Sequence, residues 1–187
     1  AFKRVMVNLN PLQILVDVIS LSQKLCKYQI IGNLAYATRE NFLGRVVDGY
    51  DHEASQVCLL SKRVGHALCE AQNQLNNQGL GLLIYDAYRP LRAVKNFAAW
   101  FKQPVASDFE LQRKKIHYPN IEKTELVARG YAPDLISRHN FANAVDLTLI
   151  NLQNLQPLNM GACFDYFDEL SHLSASAGQI GEDAYNN

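Results

Sequence analysis

The chain has 187 residues, 48% of them hydrophobic and 19% charged, which is enough apolar matter for one core and too much for disorder. Eighteen basic and eighteen acidic residues cancel; that argues against a nucleic-acid partner, since a polyanion favours a basic face. No run approaches the ~18–20 apolar residues of a membrane span.

The charge is uneven along the chain. After Ile150 come Asp165, Asp168, Glu169, Glu182 and Asp183 with no Lys or Arg among them, a stretch suited to a cation or an ammonium group. Cys26, Cys58, Cys69 and Cys163 show neither Cys-x-x-Cys spacing nor zinc-finger histidines. They read as buried soft apolar groups, with a disulfide as the alternative. The compartment stays open between cytoplasm and periplasm.

In chain order, the first thirty residues form a mixed apolar segment that Pro11 breaks. The spacing of Ala54, Val57, Cys58, Ser61, Val64, Leu68, Ala71 and Leu75 predicts a helix over 51–77, stopped by Asn76 to Gly79. Leu80 to Tyr85 is short, apolar and β-rich, and reads as a buried strand. Asp86-Ala87-Tyr88-Arg89-Pro90 follows, and Pro90 suits the first turn of a helix whose face is Val94, Phe97, Ala98 and Phe101 until Pro104. Residues 105–135 are polar and read as loop-rich. From Ala144 to Ile150, Val145, Leu147 and Leu149 alternate with Asp146, Thr148 and Ile150, the period of a strand. Strands and helices are mixed without regular alternation, so the expected class is α+β, one domain over 1–187 with helices packed on a mainly antiparallel sheet.

The chemistry concentrates in Ser137-Arg138-His139-Asn140-Phe141-Ala142-Asn143-Ala144-Val145-Asp146. His139 sits in a loop and Asp146 interrupts an apolar strand, where a carboxylate needs a partner. Zinc is one candidate, since imidazole and carboxylate both bind it at about 2.0–2.2 Å. A His–Asp hydrogen bond and an Arg–Asp ion pair are the others.

This stretch resembles Ser-x-His-x-x-Gly-x-Ala-x-Asp-Leu-Thr-Leu, the signature of the zinc D-alanyl-D-alanine dipeptidases (the VanX-like family). The matches are Ser137, His139, Ala144, Asp146, Leu147, Thr148 and Leu149. Further blocks are similar to the same family in the same order. Tyr36-Ala37-Thr38, Asn41-Phe42 and Asp48-Gly49-Tyr50 come first, then Asp86 to Pro90, then Tyr118-Pro119-Asn120 with Thr124-Glu125. Met160-Gly161 through Phe164-Asp165 to Glu169-Leu170-Ser171-His172 closes the series, so the likeness runs from about residue 34 to the end.

The resemblance implies zinc as cofactor, with His139 and Asp146 as ligands, and a small D,D-dipeptide as substrate. It implies that Arg89 stabilises the oxyanion, that Asp165 with Tyr36 holds the substrate ammonium, and that Ser137 contacts the end bearing the carboxylate. Read from the residues alone, Arg89 could instead pair structurally with Asp86, Asp165 could be a solvated surface acid, and Ser137 could cap backbone.

Two departures from the family stand out. Ala142 occupies the signature glycine, and a positive φ there would strain it. The family's general base and third zinc ligand form a Glu-x-x-His that follows a helix after this region, and the resemblance implies that they lie outside residues 1–187. Glu169 and His172 have the same spacing but align with an upstream block, so they are not expected to replace that pair. His52 and His66 read as polar helix positions and His117 as a loop residue. A cell-wall D,D-carboxypeptidase or endopeptidase, or a non-catalytic peptide-binding member, are the competing functions.

Overall fold

The computed structural model describes residues 14–51, 57–131, 136–172 and 174–187. β1 (Leu15–Asp17) leads directly into α1 (Val18–Leu25). Asp17 starts that helix, its carboxylate accepting from the Ile19 N–H at 3.1 Å and the Ser20 N–H at 3.3 Å. β2 (Ile31–Gly32) and a 3₁₀ turn at Ala35–Ala37 follow. β3 (Leu59–Ser61) pairs antiparallel with β1, and α2 (Lys62–Asn76) continues from it without a break.

The helix expected over 51–77 therefore begins at Lys62, and Leu59–Ser61 is strand. A run buried on both faces satisfies the helical period by accident, and pairing with β1 decides for the strand. Ala54 and His52 lie outside the described residues.

β4 (Leu80–Asp86) is the central strand of a three-stranded sheet, order β2-β4-β5, parallel to β2 and antiparallel to β5 (Asp146–Asn151). Its near-continuous burial explains its unbroken apolar sequence. The ladder contains a bulge: Ile84 faces Leu147, yet Asp86 faces Asp146. The extra residue, Tyr85, re-aims the end of the strand. Without it the Asp86 carboxylate would fall one position out of register with Asp146.

α3 (Leu91–Phe101) follows the Pro90 cap and buries Ala93, Val94, Phe97, Trp100 and Phe101. Residues expected to be loop contain α4 (Asp108–His117). Its signals are terminal rather than periodic: the Ser107 hydroxyl accepts from the Glu110 N–H, acids fill the first turn, and Lys114, Lys115 and His117 fill the last. It lacks a broad apolar stripe, the feature that marks most helices in sequence. A 3₁₀ turn at Lys123–Glu125 and short helices α5 (Ala177–Ile180) and α6 (Glu182–Asn186) complete the main elements.

The architecture is α+β with mostly antiparallel pairing, as the sequence suggested. One part of the core gathers Val18, Ile30, Leu60, Leu82 and Ile84. The other is aromatic, built on Tyr36, Phe42, Tyr50, Phe97, Trp100 and Tyr118. Of the cysteines, Cys58 and Cys69 are buried, Cys26 is partly so and Cys163 is exposed, and all are free thiols. The buried reading thus fails for Cys163.

No helix among the described residues is long and apolar enough to cross a membrane.

Candidate active site

A cavity of about 300 Å³ is lined by Tyr36, Arg89, Ser137, His139, Asp146 and Asp165 together with a ring of aromatics. Every site residue singled out in the sequence reaches this one space. They come from separate elements: the turn after β2, the β4–α3 junction, a 3₁₀ turn at Arg138–Phe141, the start of β5, and the loop beyond it.

Asp86 is the anchor beneath them. It is fully buried, and its Oδ2 accepts from Arg89 Nε at 2.9 Å and lies 2.8 Å from Arg89 Nη2. The Tyr50 hydroxyl donates to its Oδ1 at 2.5 Å. Burial pushes the Asp86 carboxyl up, against the downward pull of Arg89, His139 and the Tyr50 hydrogen bond.

Arg89 is buried and also reaches Asp146 Oδ2 at 3.3 Å. Its guanidinium carbon lies 5.2 Å from the Tyr36 ring centre and 5.4 Å from that of Phe97, so aromatic faces hold the cation where water would otherwise be needed. The structural pair with Asp86 and a place in the cavity are thus both realised. The pair is what aims the cation.

His139 is buried, and its orientation follows from one hydrogen bond. Nδ1 donates to the Ala87 carbonyl at 2.8 Å, which places Nε2 3.4 Å from Asp146 Oδ1. Burial works against protonation of the imidazole, yet the hydrogen bond and charge of Asp146 outweigh it and hold the group above its ordinary pKa.

Asp86, His139 and Asp146 offer ligand atoms all within 4.8 Å of one another, a group able to hold a cation. Within it, the Asp86 oxygens are already engaged by Arg89 and Tyr50. Nε2 and Asp146 Oδ1 are the atoms left to face a metal. Ligands at about 2.0–2.2 Å from a tetrahedral ion stand roughly 3.4 Å apart, which is the separation found. The fixed Nδ1–H is the outer-sphere contact that metal-binding histidines ordinarily make.

Residues 17–187 match the peptidase M15 family, described as D-Ala-D-Ala dipeptidase. The chain belongs to the D-Ala-D-Ala dipeptidase family. It is 39% identical over 141 residues to a D-alanyl-D-alanine dipeptidase of Enterococcus faecium, covering 75% of this chain and 66% of that one. It is 42% identical over 140 residues to one from Enterococcus faecalis, at 75% and 65% coverage. A third, from Streptomyces coelicolor, is 39% identical over 140 residues at the same coverage. The chain spans about 65% of the length of these relatives. Membership of a metallopeptidase family implies a metal cofactor.

Of the dipeptidase-family signature, Ser137 caps the 3₁₀ turn that carries His139. Its hydroxyl oxygen accepts from the His139 N–H at 3.3 Å while its own N–H donates to Asn140 Oδ1 at 2.8 Å. Asn140 donates in turn to the Arg89 carbonyl at 2.6 Å, tying the histidine turn to the arginine. Sequence reasoning passed over Asn140, and it weighed Asp86 only as a partner for Arg89. An aspartate closing an apolar strand three residues ahead of Arg89 was the available signal.

Ala142, which replaces the signature glycine, has φ 53° and ψ 31°. This is a left-handed backbone, and alanine bears its strain. Its carbonyl accepts from the Ser61 N–H at 2.8 Å, fixing the histidine turn to the end of β3. Ala142→Gly is expected to change unfolding free energy by no more than about 1 kcal/mol. Ala142→Val, branched in a left-handed site, should lower it by about 2 kcal/mol in urea denaturation.

Asp165 also has a positive φ, 57°. Its Oδ2 accepts from the Tyr36 hydroxyl at 2.8 Å. Burial pushes its carboxyl up to about 7, against the lowering effect of the Tyr36 hydrogen bond, and Asp146 adds to the rise. The folded state therefore keeps a proton on Asp165 between about pH 4 and 7 that the unfolded chain releases. On this account the metal-free fold loses stability as pH rises through that window. Asp165→Asn should flatten this part of a stability–pH profile measured by denaturant unfolding. An unchanged slope would show that the carboxyl titrates normally.

Glu169 and His172 do not reach the cavity. Glu169 is exposed, and the His172 ring stacks on Tyr131, centres 5.5 Å apart. His66 lies on α2, half-buried. His117 departs from expectation: it ends a helix and is 5% exposed.

Proposed function

We propose that this protein hydrolyses the D-alanyl-D-alanine dipeptide to two D-alanines, with zinc held by His139 and Asp146. The observation that carries the reading is the convergence in one cavity of a metal-ready His–Asp pair, a buried cation and an acid beside a tyrosine hydroxyl. The relatives that bear the name D-alanyl-D-alanine dipeptidase support the substrate. On the family pattern a Glu-x-x-His supplies the remaining ligand and the general base, and Glu169 and His172 lie away from the cavity.

When bound, zinc supplies a nucleophilic water at neutral pH and a Lewis acid for the peptide carbonyl. The chain's own residues do the rest. Asp165, ionised once an ammonium faces it, binds the amino end of the dipeptide, and Tyr36 orients that carboxylate. Ser137 contacts the end bearing the substrate carboxylate. Arg89 presents a desolvated positive charge to the carbonyl oxygen as negative charge develops there, and preorganised charge of this kind is worth most in a dry site. The Ala87 carbonyl keeps the Nδ1 proton of His139 in place, so Nε2 stays a lone-pair donor.

A cavity of about 300 Å³ lies at the small end of ligand sites and suits a dipeptide better than a polymer. The anchor at Asp165 argues the same way, because a carboxypeptidase acting on long chains has no free ammonium to bind there. The proposed role is turnover of peptidoglycan precursors or glycopeptide resistance.

The test is release of D-alanine from D-alanyl-D-alanine by the zinc-loaded full-length protein, beside an N-acetylated dipeptide. Cleavage of the free dipeptide alone is expected; equal cleavage of both would favour a carboxypeptidase. In the same assay Glu169→Ala and His172→Ala should each keep kcat within about threefold, as changes outside the cavity. A loss near 10²–10⁴-fold, typical of a missing general base, would place the catalytic pair here after all.

A further inference from the structure

His117 is a buried titratable side chain that the mechanism above does not use. His117, at the last turn of α4, has no contact with His139, Asp146 or Arg89 among its hydrogen bonds, yet it grips the loop that carries Asp165 at two points. Its Nδ1–H donates to the Asp165 carbonyl at 3.1 Å, and its own carbonyl accepts from the Phe167 N–H at 2.6 Å. The turn over 165–167 is thus bracketed by a single residue.

That turn needs holding. Asp165 has φ 57°, a left-handed conformation that costs a non-glycine residue free energy unless its surroundings compensate. Tyr36 fixes the Asp165 carboxylate and His117 fixes its backbone. The two clamps share a base. The Asn41 side chain donates to the carbonyls of Ala35, Thr38 and Arg45, holding the turn that carries Tyr36. The Asn41 carbonyl accepts from Arg113, whose Nη2 also lies 2.7 Å from His117 Nε2.

The chemistry of these contacts fixes the tautomer. A guanidinium can only donate, so Nε2 is the acceptor and Nδ1 carries the proton. Burial lowers the His117 pKa against the opposing pull of the Asp165 carbonyl, and the Arg113 cation lowers it further. The ring is therefore neutral, with one donor aimed at Asp165.

We infer that His117 is a positioning residue that holds Asp165 in register with the amino end of the substrate, and thereby sets the preference for an unblocked dipeptide. This rests on the proposed role of Asp165 as the ammonium anchor. Without the donor, the Asp165 carbonyl loses its buried partner, the left-handed turn relaxes, and the carboxylate leaves Tyr36.

The test uses paired amide substitutions in the zinc-loaded full-length protein. In His117→Asn the side-chain N–H stands where Nδ1 stood and can still reach the Asp165 carbonyl. In His117→Gln the amide extends to the Nε2 position, serving Arg113 and leaving Asp165 without its donor. KM and kcat for D-alanyl-D-alanine, cleavage of the N-acetylated dipeptide and the thermal unfolding midpoint are measured for each. His117→Gln is expected to raise KM about tenfold with kcat within about twofold, while His117→Asn stays within about threefold of the wild-type KM. A merely structural histidine would instead shift KM in proportion to the loss of unfolding midpoint in both variants, and that result overturns the inference. So does an unchanged KM in His117→Gln. If either variant fails to fold, Arg113→Gln replaces it, since loss of the guanidinium removes the donor at His117 Nε2, frees the ring to turn away from the Asp165 carbonyl and should raise KM as His117→Gln does; an unchanged KM there counts against the proposal. A wild type that cleaves the N-acetylated dipeptide as well as the free one overturns the anchor at Asp165 and this inference together. Discrimination retained by both wild type and His117→Gln overturns the role of His117 alone.

Discussion

His139→Ala is expected to strip the protein of bound metal and to lower kcat/KM for D-alanyl-D-alanine by about 10³-fold or more, the scale of a lost Lewis acid and its activated water. The expectation follows from the 3.4 Å separation of Nε2 and Asp146 Oδ1. With Nδ1 committed to the Ala87 carbonyl and Asp86 engaged by Arg89 and Tyr50, nothing else in the cluster can take the place of the imidazole without breaking a buried hydrogen bond. Asp146→Asn should act in the same direction, since an amide is a much weaker metal ligand than a carboxylate. Metal content after dialysis, read beside activity, is the check. A His139→Ala protein that retains stoichiometric zinc would show that the metal sits elsewhere.

Arg89→Ala is expected to reduce kcat by about 10²-fold or more, as for other losses of a preorganised charge at a developing oxyanion. The substitution has a second effect that must be separated from the first. It leaves Asp86 as a buried carboxylate without its cation, and breaking a buried pair costs about 3–5 kcal/mol of stability. The double variant Arg89→Ala with Asp86→Asn removes that unpaired charge. If the rate loss persists when stability is recovered, Arg89 acts on the reaction; if the rate returns with stability, its role is the ion pair alone. Arg89→Lys tests geometry: a compact ammonium cannot reach Asp86 and Asp146 as the guanidinium does, so an intermediate rate is expected.

Much of the fold was legible where local pattern and tertiary need coincide. Leu80 to Tyr85 is apolar because β4 is covered on both sides, and Pro90 precedes a helix whose apolar face meets the aromatic core. Legibility failed where the two diverged. Val57, Cys58 and Ser61 fit a helical stripe, yet pairing with β1 claims Leu59–Ser61 for a strand, and α4 carries little periodic signal because its stability comes from capping and terminal charge rather than an apolar face.

The site divides in the same way. His139 and Asp146 are seven residues apart on a turn and the strand after it, so their proximity is a local property of the chain. The likeness of the surrounding residues to one family is likewise a property of sequence alone. What no local pattern carries is the bulge at Tyr85 that turns Asp86 toward Asp146, the left-handed turn at Asp165, and the burial of His117 beneath it. Each depends on residues dozens of positions away: Asp86 on Asp146 and His139, Asp165 on Tyr36, His117 on the 165–167 turn. Sequence determined which side chains could do this chemistry, because residue type and short spacing are written in the chain. Tertiary structure decided where their charges point, because desolvation and long-range hydrogen bonds exist only once distant segments have packed together.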